Sequence, residues 1–303
     1  MRTYLRAFQL FCSHFKFPFF TVTKATYLAH LAFLSQSLKS FSSVRNYLSI
    51  LSHINKSLGY SCAFIGDYDT RLANRAVRRL LGDFTARKHA MSVDILLQIS
   101  RQFDPGNVFH TCMAALFLVA FFSFLRISNL VPRTLGDLSH HSPLFLRRSS
   151  VKFSARGAVL SVTRTKTLQF NQRILEIPLP LIPGSPLCPV SALSAYLQRV
   201  PAEPFSPLFG VYINNQYQPI LAHHYNSFIK RAVSSLGLDP TCYSSHSFRR
   251  GGASFAFNNR APTGFIKSHG DWLSDAYLVY LTMSNDEKFK ILDSITTKLR
   301  HTH

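Results

Sequence analysis

Residues 245–254 read SHSFRRGGAS, and this stretch decides how the rest of the sequence is interpreted. His246 and Arg249 are three positions apart, so on a helix that begins here they project from one face. The positive end of the helix dipole lies at the same place, which favours a bound anion such as a phosphate. A helix start with a structural histidine and a solvated arginine gives the same pattern. Other motifs therefore have to decide between the two interpretations.

A second motif lies at residues 270–280, which read GDWLSDAYLVY. Together the two motifs resemble the tyrosine recombinases, the phage-integrase-like family, and in particular the recombinases of DIRS-like and Crypton mobile elements. Members of that group show a His-x-x-Arg helix start, then a Gly-x-Trp-x-Ser-Asp-Ala-like stretch, and the nucleophilic tyrosine a few residues later. The resemblance predicts Tyr280 as the nucleophile.

Two motifs on the N-terminal side extend the resemblance. The sequence LRISNL at 125–130 matches the family's arginine at the end of a buried helix, and TRTKT at 163–167 matches its lysine in a β-hairpin. Each motif is weak alone, whereas the whole set in the family's order is strong, and the resemblance covers about residues 92–285. The residues that follow this order are Arg126, Lys166, His246, Arg249, Trp272 and Tyr280.

The resemblance implies a specific reaction. The tyrosine oxygen attacks a DNA phosphodiester and leaves a 3′-phosphotyrosine with a free 5′-hydroxyl. Arg126 and Arg249 would hold the nonbridging phosphate oxygens by forked hydrogen bonds as negative charge develops. Lys166 would give a proton to the departing 5′ oxygen, and His246 would accept or share the tyrosine proton. Trp272 would pack and donate its indole N–H to the phosphate. No nucleotide cofactor is required.

Three positions leave alternatives open. Tyr277 competes with Tyr280 for the nucleophile, but the spacing from the tryptophan and the Ala-aromatic-x-x-Tyr pattern favour Tyr280, which makes Tyr277 a core residue. His269 lies close to where other members use histidine in place of Trp272, so either residue fills the sixth catalytic position. Asn129 stands where many members carry an acid, and the orientation of the first arginine is therefore expected to rely on a hydrogen bond.

The charge of the chain agrees with a nucleic-acid partner. It has 34 Lys+Arg against 14 Asp+Glu, a formal charge of +20 and a pI near 10.1. Such a balance favours a polyanion, although RNA fits as well as DNA. Residues 1–88 hold 13 basic and 3 acidic residues, and residues 89–303 hold 21 and 11, so the shorter N-terminal part is the more densely positive. A hydrophobic share of 47% predicts a folded protein.

Four helical patterns occupy the N-terminal part. Apolar residues recur at helical spacing over residues 4–15, 23–38, 43–58 and 70–81. The fourth helix carries a row of arginines, which indicates phosphate contact, although an ordinary solvated face gives the same pattern. We predict a helical core-binding (SAM-like) DNA-binding domain at 1–88 and a tyrosine recombinase catalytic domain at 89–303. The predicted DNA-binding residues are Arg71, Arg75, Arg78, Arg79, Arg87 and Lys88.

The chain as a whole is predicted to be mainly α-helical with a small antiparallel β-meander, an α+β fold class. Residues 149–154, 158–164 and 173–179 alternate in polarity or carry β-branched residues, with a turn at Arg156-Gly157. These features predict the three strands of the meander. Helices are predicted at 93–103, 107–125, 189–199, 221–236, 246–258, 263–269, 274–283 and 285–299, the first of them capped by Ser92.

Several other kinds of site are not expected. The five cysteines are scattered and lack CxxC spacing, which predicts reduced, buried thiols in an intracellular protein. The pairs His140–His141 and His223–His224 lack companions at ligand spacing, so no metal is expected. The longest apolar run, residues 113–125, is too short for a bilayer, which needs about 20 residues, and is interpreted as a buried core helix. No secretory signal is recognised.

By resemblance, the partner is double-stranded DNA, with two sites held by four protomers in a homotetramer and the helix at 285–299 docked on a neighbouring protomer. We expect a site-specific recombinase or integrase of a mobile genetic element, acting in the nucleus, with no membrane and no small-molecule substrate. A domesticated, non-cleaving DNA-binding protein is the main rival, and the complete residue set argues against it. A type IB topoisomerase and an RNA-binding or structural basic protein are weaker rivals.

Overall fold

A computed structural model describes residues 2–82, 88–139, 144–168, 173–279, 281 and 285–300, and within the last helix the side chains of 288–296. The chain divides into two compact units, Met1–Arg87 and Lys88–His303. No helix in these described ranges is long and apolar enough to cross a membrane.

The first unit is a cluster of helices around one apolar core. Its helices are α1 (Arg2–Phe15), α2 (Lys24–Ser37), α3 (Phe41–Ser57) and α4 (Tyr68–Leu81). Thr23 and Ser40 cap α2 and α3, because their hydroxyls accept the N–H groups of Thr26 and Ser43. Helices α1, α2 and α3 pack together, and α4 packs on α2. All four predicted helices are therefore confirmed.

The second unit is built around one apolar helix. Helix α6 (Val108–Ser123) is buried on all sides, as predicted from its unbroken hydrophobic run. It is surrounded by α8 and α10, and the rings of Phe117 and Phe248 lie 4.6 Å apart between centroids. The other helices of the unit are α5 (Val93–Ser100), α7 (Ile127–Leu130), α8 (Pro189–Arg199), α9 (Ala222–Ser234), α10 (Ser245–Asn258), α11 (Thr263–His269) and α12 (Asn285–Arg300).

The predicted three-strand meander is present. Strands β1 (Val151–Ser154), β2 (Gly157–Val162) and β3 (Leu175–Pro180) pair antiparallel in sequence order. Leu160 of β2 is paired with Ile177 of β3, and the alternate residues of β3 face the core. The connection between β2 and β3 carries the lysine predicted to be the general acid, so this connection matters for the site.

A second hairpin was not predicted. Strands β4 (Gly210–Ile213) and β5 (Gln216–Pro219) pair antiparallel, with Ile213 opposite Gln216. The two residues between them, Asn214 and Asn215, both have positive φ angles of 50° and 59°. Asparagine tolerates this backbone region, and two such residues in succession form the tight turn that matches the twist of paired strands. The Asn-Asn pair is therefore a sequence feature that indicates a hairpin turn.

Two helix predictions in the second unit and one prediction about the cysteines need correction. The helix expected at 93–103 ends at Ser100. Where a helix was expected at 274–283, the described residues form a 3₁₀ turn, Asp275–Val279. Short 3₁₀ turns are frequent connectors, and residues three positions apart suit them as well as an α-helix. All five cysteines are free thiols, but Cys62 and Cys242 are only half-buried, since both lie in short connections.

Candidate active site

The SHSFRRGGAS stretch begins helix α10, as its sequence predicts. The Ser244 N–H donates to the hydroxyl of Ser247 over 3.0 Å, which closes the first turn. A Cβ on Gly252 would lie 1.9 Å from the carbonyl oxygen of Phe121, and one on Gly251 would lie 2.0 Å from that of Met91. Because both glycines lack a Cβ, α10 can lie directly against α6 and the segment before α5.

Arg249 is buried, with 1% of its surface exposed. Its guanidinium donates to the carbonyl of Phe124, and to the carbonyl of Gly270 over 2.9 Å. The guanidinium carbon also lies 3.8 Å from the centroid of the Trp272 ring, a cation–π contact. A solvated arginine, the alternative interpretation of this motif, is therefore wrong. The side chain is held in one orientation before any ligand arrives.

Trp272 is the residue whose ring stacks on the arginine. The tryptophan is 7% exposed and packs against Tyr277, whose ring centroid is 6.0 Å away. Any Cβ at Gly270 would fall 1.7 Å from the indole ring, so glycine is required there. His269 instead lies 2.8 Å from the carbonyl of Phe122 through its Nε2 atom. Tyr277 is buried, as predicted for a core residue.

Arg126 lies at the point where the buried helix breaks. Phe124 adopts a left-handed conformation with a φ of 53°, which ends α6, and Arg126 is the residue that precedes α7. The hydrogen bond expected to orient this arginine stays a prediction. The Asn129 side chain donates 3.0 Å bonds to the carbonyls of Leu144 and Arg164, and the Asn129 backbone N–H bonds the carbonyl of Arg126.

His246 is the third member of this group. Its pKa is lowered, first because surrounding protein atoms displace part of its hydration, and then because of the positive charges of Arg249 and Arg126. Both guanidiniums are thus close enough to act on the imidazole, although Arg126 precedes it by more than a hundred residues. A neutral imidazole can accept a proton, and the two nearby cations favour a phenol that is becoming negatively charged.

Lys166 is exposed on the connection between β2 and β3. The residues on either side of it, Thr165 and Thr167, both donate hydrogen bonds from their hydroxyls to the carboxylate of Asp271. Arg173 lies 3.4 Å from the same carboxylate. Asp271 was not predicted as a site residue. Its partners are 98 to 106 positions away along the chain, and no local sequence pattern indicates such distant contacts.

The remaining predicted site residues lie elsewhere. Arg71, Arg75, Arg78 and Arg79 are exposed on α4, and the acids near its start, Asp67 and Asp69, pair with Lys24 at 3.4 and 2.7 Å. Lys88 donates from its ammonium to the carbonyl of Thr241, close to the start of α10. Tyr280 and Arg87 lie outside the described residues.

No protein-family model and no curated protein sequence matches the chain. Solved structures do. The chain is similar to the XerH site-specific recombinase bound to palindromic difH substrate in a post-cleavage complex, with 12% identity over 91% of this chain and 72% of that chain and a TM-score of 0.56. The Tn1549 transposon integrase in complex with a circular intermediate DNA gives 14% identity, 92% and 87% coverage and a TM-score of 0.57.

A lambda integrase dimer bound to a COC′ core site gives 16% identity, 86% and 80% coverage and a TM-score of 0.53. The chain has the tyrosine recombinase fold. The likeness covers enough of the chain to include residues of both units, and it confirms the predicted fold class. At such low identity the recombinase fold is the extent of the likeness, and the narrower resemblance to DIRS-like and Crypton recombinases stays a prediction.

Proposed function

We propose that this chain is a site-specific DNA recombinase that cleaves and rejoins strands through a 3′-phosphotyrosine formed on Tyr280. The observation that carries the proposal is the grouping of Arg126, His246 and Arg249 at one place in a recombinase fold. Arg126 lies just before α7, far in sequence from the two residues on α10. Two guanidiniums and an imidazole are the groups that an in-line displacement at a phosphodiester needs.

The proposed reaction has two steps, strand cleavage and strand rejoining. The Tyr280 oxygen forms a bond to phosphorus as the bond from phosphorus to the 5′ oxygen breaks; His246 takes the phenol proton, and Lys166 supplies one to the departing oxygen. A 5′-hydroxyl from another strand then attacks the phosphotyrosine and gives its proton to the neutral Lys166 amine. The bond from phosphorus to the Tyr280 oxygen breaks, and the phenol takes its proton back from His246. Phosphate-ester energy is conserved in the covalent intermediate, so no nucleotide cofactor enters.

The arginines stabilise the transition state. Arg249 is fixed by two carbonyls and the Trp272 ring, so its donors are already oriented when charge develops on the nonbridging oxygens. Arg126, half-buried beside His246, holds a second oxygen. Losing one such donor is expected to slow cleavage by about 10²–10³-fold.

Double-stranded DNA is the proposed partner, with four protomers pairing two sites in the nucleus as part of a mobile element's movement. The +20 charge and the exposed arginines of α4 support a duplex ligand. Helix α12 exposes Phe289, Ile291, Leu292 and Ile295, an apolar surface suited to a neighbouring protomer. A chain truncated before α12 should bind DNA but fail to hold two sites together, and normal pairing by it would contradict this arrangement.

A nicked suicide duplex tests the proposal. A nick beside the cleaved bond lets the released fragment diffuse away, so the covalent protein–DNA adduct accumulates and survives denaturation. Because the target sequence is not fixed by the fold, the duplex is supplied as a pool with a randomised centre. We expect wild-type chain to form adducts and Tyr280→Phe to form none.

Tyr277→Phe is the matched control, since it removes a hydroxyl from a buried ring and leaves the packing with Trp272 intact. It should form adducts at close to the wild-type yield. Adducts that persist in Tyr280→Phe would contradict the assignment of the nucleophile. A wild-type chain that binds the pool but never becomes attached to it would instead be the domesticated, non-cleaving DNA-binding protein.

A further inference from the structure

The loop that carries Lys166 is held by a buried acid to which the mechanism above gives no role. Asp271 is 3% exposed, and its carboxylate accepts the hydroxyl protons of Thr165 and Thr167, the two residues that flank the lysine. Arg173, further along the same connection, places its guanidinium 3.4 Å from the other carboxylate oxygen. A single side chain therefore holds the loop at three points.

A buried carboxylate is costly unless hydrogen bonds and a counter-charge compensate for its lost hydration. Among the described residues, the compensating groups that contact it come from the β2–β3 connection: two hydroxyls and one guanidinium. The threonine hydroxyls likewise lose their acceptor if the loop moves away from the carboxylate. The hydrogen bonds therefore stabilise the arrangement in which the loop lies against Asp271.

Within the loop, the same contact sets which side chain faces outwards. Thr165 is 1% exposed, and its hydroxyl also accepts the N–H groups of Thr167 and Leu168 at 3.1 and 3.0 Å. With both threonines directed to Asp271, Lys166 between them is the exposed residue. On the other side of the turn, Asn129 holds the carbonyl of Arg164 over 3.0 Å.

The segment that holds the lysine loop also holds the buried arginine. Gly270 accepts a hydrogen bond from Arg249, Trp272 stacks on its guanidinium, and Asp271 lies between the two. Asp271 adopts a left-handed backbone with a φ of 53°, which turns its side chain towards the loop. Residues 270–272 thus contact both Arg249 and the loop of Lys166, and they set the distance between the two.

We propose that Asp271 is a positioning residue, which fixes the Lys166 ammonium beside the 5′ oxygen of the phosphate that Arg249 holds. This inference rests on the proposed function. In the step concerned, the bond from phosphorus to the 5′ oxygen breaks and Lys166 transfers its proton to that oxygen. Asp271 neither gives nor takes a proton, and it acts only through the position of the loop.

A sulfur substitution separates this role from a general loss of structure. When sulfur replaces the bridging 5′ oxygen, the departing group leaves as a thiolate and needs no proton, so a misplaced general acid no longer matters. On the oxygen substrate we expect Lys166→Ala to slow cleavage by about 10²–10⁴-fold. Asp271→Asn should slow it by about 10²-fold, the typical effect of displacing a reacting group by about 1 Å.

On the sulfur substrate, both variants should cleave at close to the wild-type rate. Asp275→Asn is the matched control, and it should match wild type on both substrates. It removes a carboxylate four residues away that pairs with Lys267 at 2.9 Å on the surface. The pair Thr165→Val with Thr167→Val tests the other side of the contact. It should reproduce the Asp271→Asn defect, and adding Asp271→Asn to it should cost little more.

The outcomes are distinguishable. Equal slowing of Asp271→Asn on both substrates would assign the residue to the general fold and overturn the inference, as would a wild-type rate on the oxygen substrate. Rescue of Lys166→Ala but not of Asp271→Asn by sulfur would also overturn it. A wild-type chain that cleaves neither substrate overturns the proposed function, and this inference with it.

Discussion

The guanidinium carbon of Arg249 lies 3.8 Å from the centroid of the Trp272 ring. The Trp272 ring is buried and stacks against the guanidinium, so removing the ring should create a cavity and also leave the guanidinium less firmly held. Trp272→Ala is expected to lower the free energy of unfolding by about 3–5 kcal/mol, as measured by urea denaturation. Trp272→Phe keeps a ring under the arginine and should lose clearly less.

A second arginine–aromatic pair provides the control. Arg147 lies 5.6 Å from the ring of Phe205, which is exposed. Phe205→Ala should therefore change the free energy of unfolding by no more than about 0.5 kcal/mol. Equal effects of the two alanine substitutions would contradict the structural role given to the tryptophan.

His246 is expected to titrate below the ordinary histidine value of 6.5, because of its reduced hydration and the charges of Arg249 and Arg126. The imidazole should be neutral at neutral pH and become charged only under more acidic conditions, so the cleavage rate should fall on that side. NMR of the ring protons gives the midpoint directly. Arg126→Gln removes one positive charge and should raise the midpoint, whereas Arg126→Lys keeps the charge and should leave it nearly unchanged. A wild-type midpoint at or above 6.5 would contradict this arrangement.

Gly252 permits the contact between α10 and α6. Alanine would place its methyl carbon 1.9 Å from the Phe121 carbonyl oxygen, so Gly252→Ala should lower the free energy of unfolding by about 3 kcal/mol and slow cleavage, since Arg249 lies one turn earlier. Gly264→Ala on α11 meets open space and should keep or slightly raise stability, by at most about 1 kcal/mol. Thermal denaturation of both variants checks the difference.

The arginines of α4 are predicted to contact DNA phosphates. If Arg75 neutralises one phosphate, Arg75→Gln should reduce the slope of log affinity against log salt by about 0.9, as measured with mixed-sequence duplex DNA. Arg75→Lys keeps the charge and should retain nearly all of the slope. Arg71 should behave in the same way. Unchanged slopes in the glutamine variants would mean that these arginines do not contact phosphates and that this face of α4 is an ordinary solvent-exposed surface.

His30 gives the first unit a dependence on pH. It is fully buried between Phe8 and Phe11, neither ring nitrogen has a hydrogen-bond partner among the described residues, and burial lowers its pKa from 6.5 to about 4. The unfolded chain therefore binds a proton more readily, and stability is lost as the pH falls from 6.5 to about 4, by about 3 kcal/mol.

Replacing this histidine should remove the loss. His30→Phe leaves no titrating group between Phe8 and Phe11. The free energy of unfolding of this variant should therefore exceed that of wild type and vary less over the same pH range. His53→Gln, an exposed position on α3, is the control and should follow the wild-type curve. A wild-type curve that is flat across this range would contradict the assignment.

Much of the fold follows from local patterns. The unbroken apolar run of α6 predicts its burial, and the alternation at Leu175, Ile177 and Leu179 predicts the strand that covers it. The motif residues Arg126 and Arg249 could be selected because their sequence neighbourhoods resemble a known family. Such signals are contained within a few positions, so they can be recognised without knowledge of the three-dimensional contacts.

The parts that escaped prediction depend on distant partners. Asp271 becomes a site residue only because Thr165 and Thr167 fold against it, and the Asn129 side chain bonds a carbonyl 35 positions away. Whether His269 or Trp272 meets Arg249 likewise depends on how α11 packs on α6. Side-chain spacing within one segment holds no information about such contacts.

The last turn of α6 has carbonyl groups that its own helix leaves unbonded. The donors that contact the end of this helix come from Arg249 at the Phe124 carbonyl, 125 positions later, and from His269 at the Phe122 carbonyl, 147 positions later. As the polypeptide leaves the ribosome, the end of the central helix therefore stays incomplete until residue 269 has emerged. A partly synthesised chain therefore lacks the assembled pair of Arg126 and Arg249.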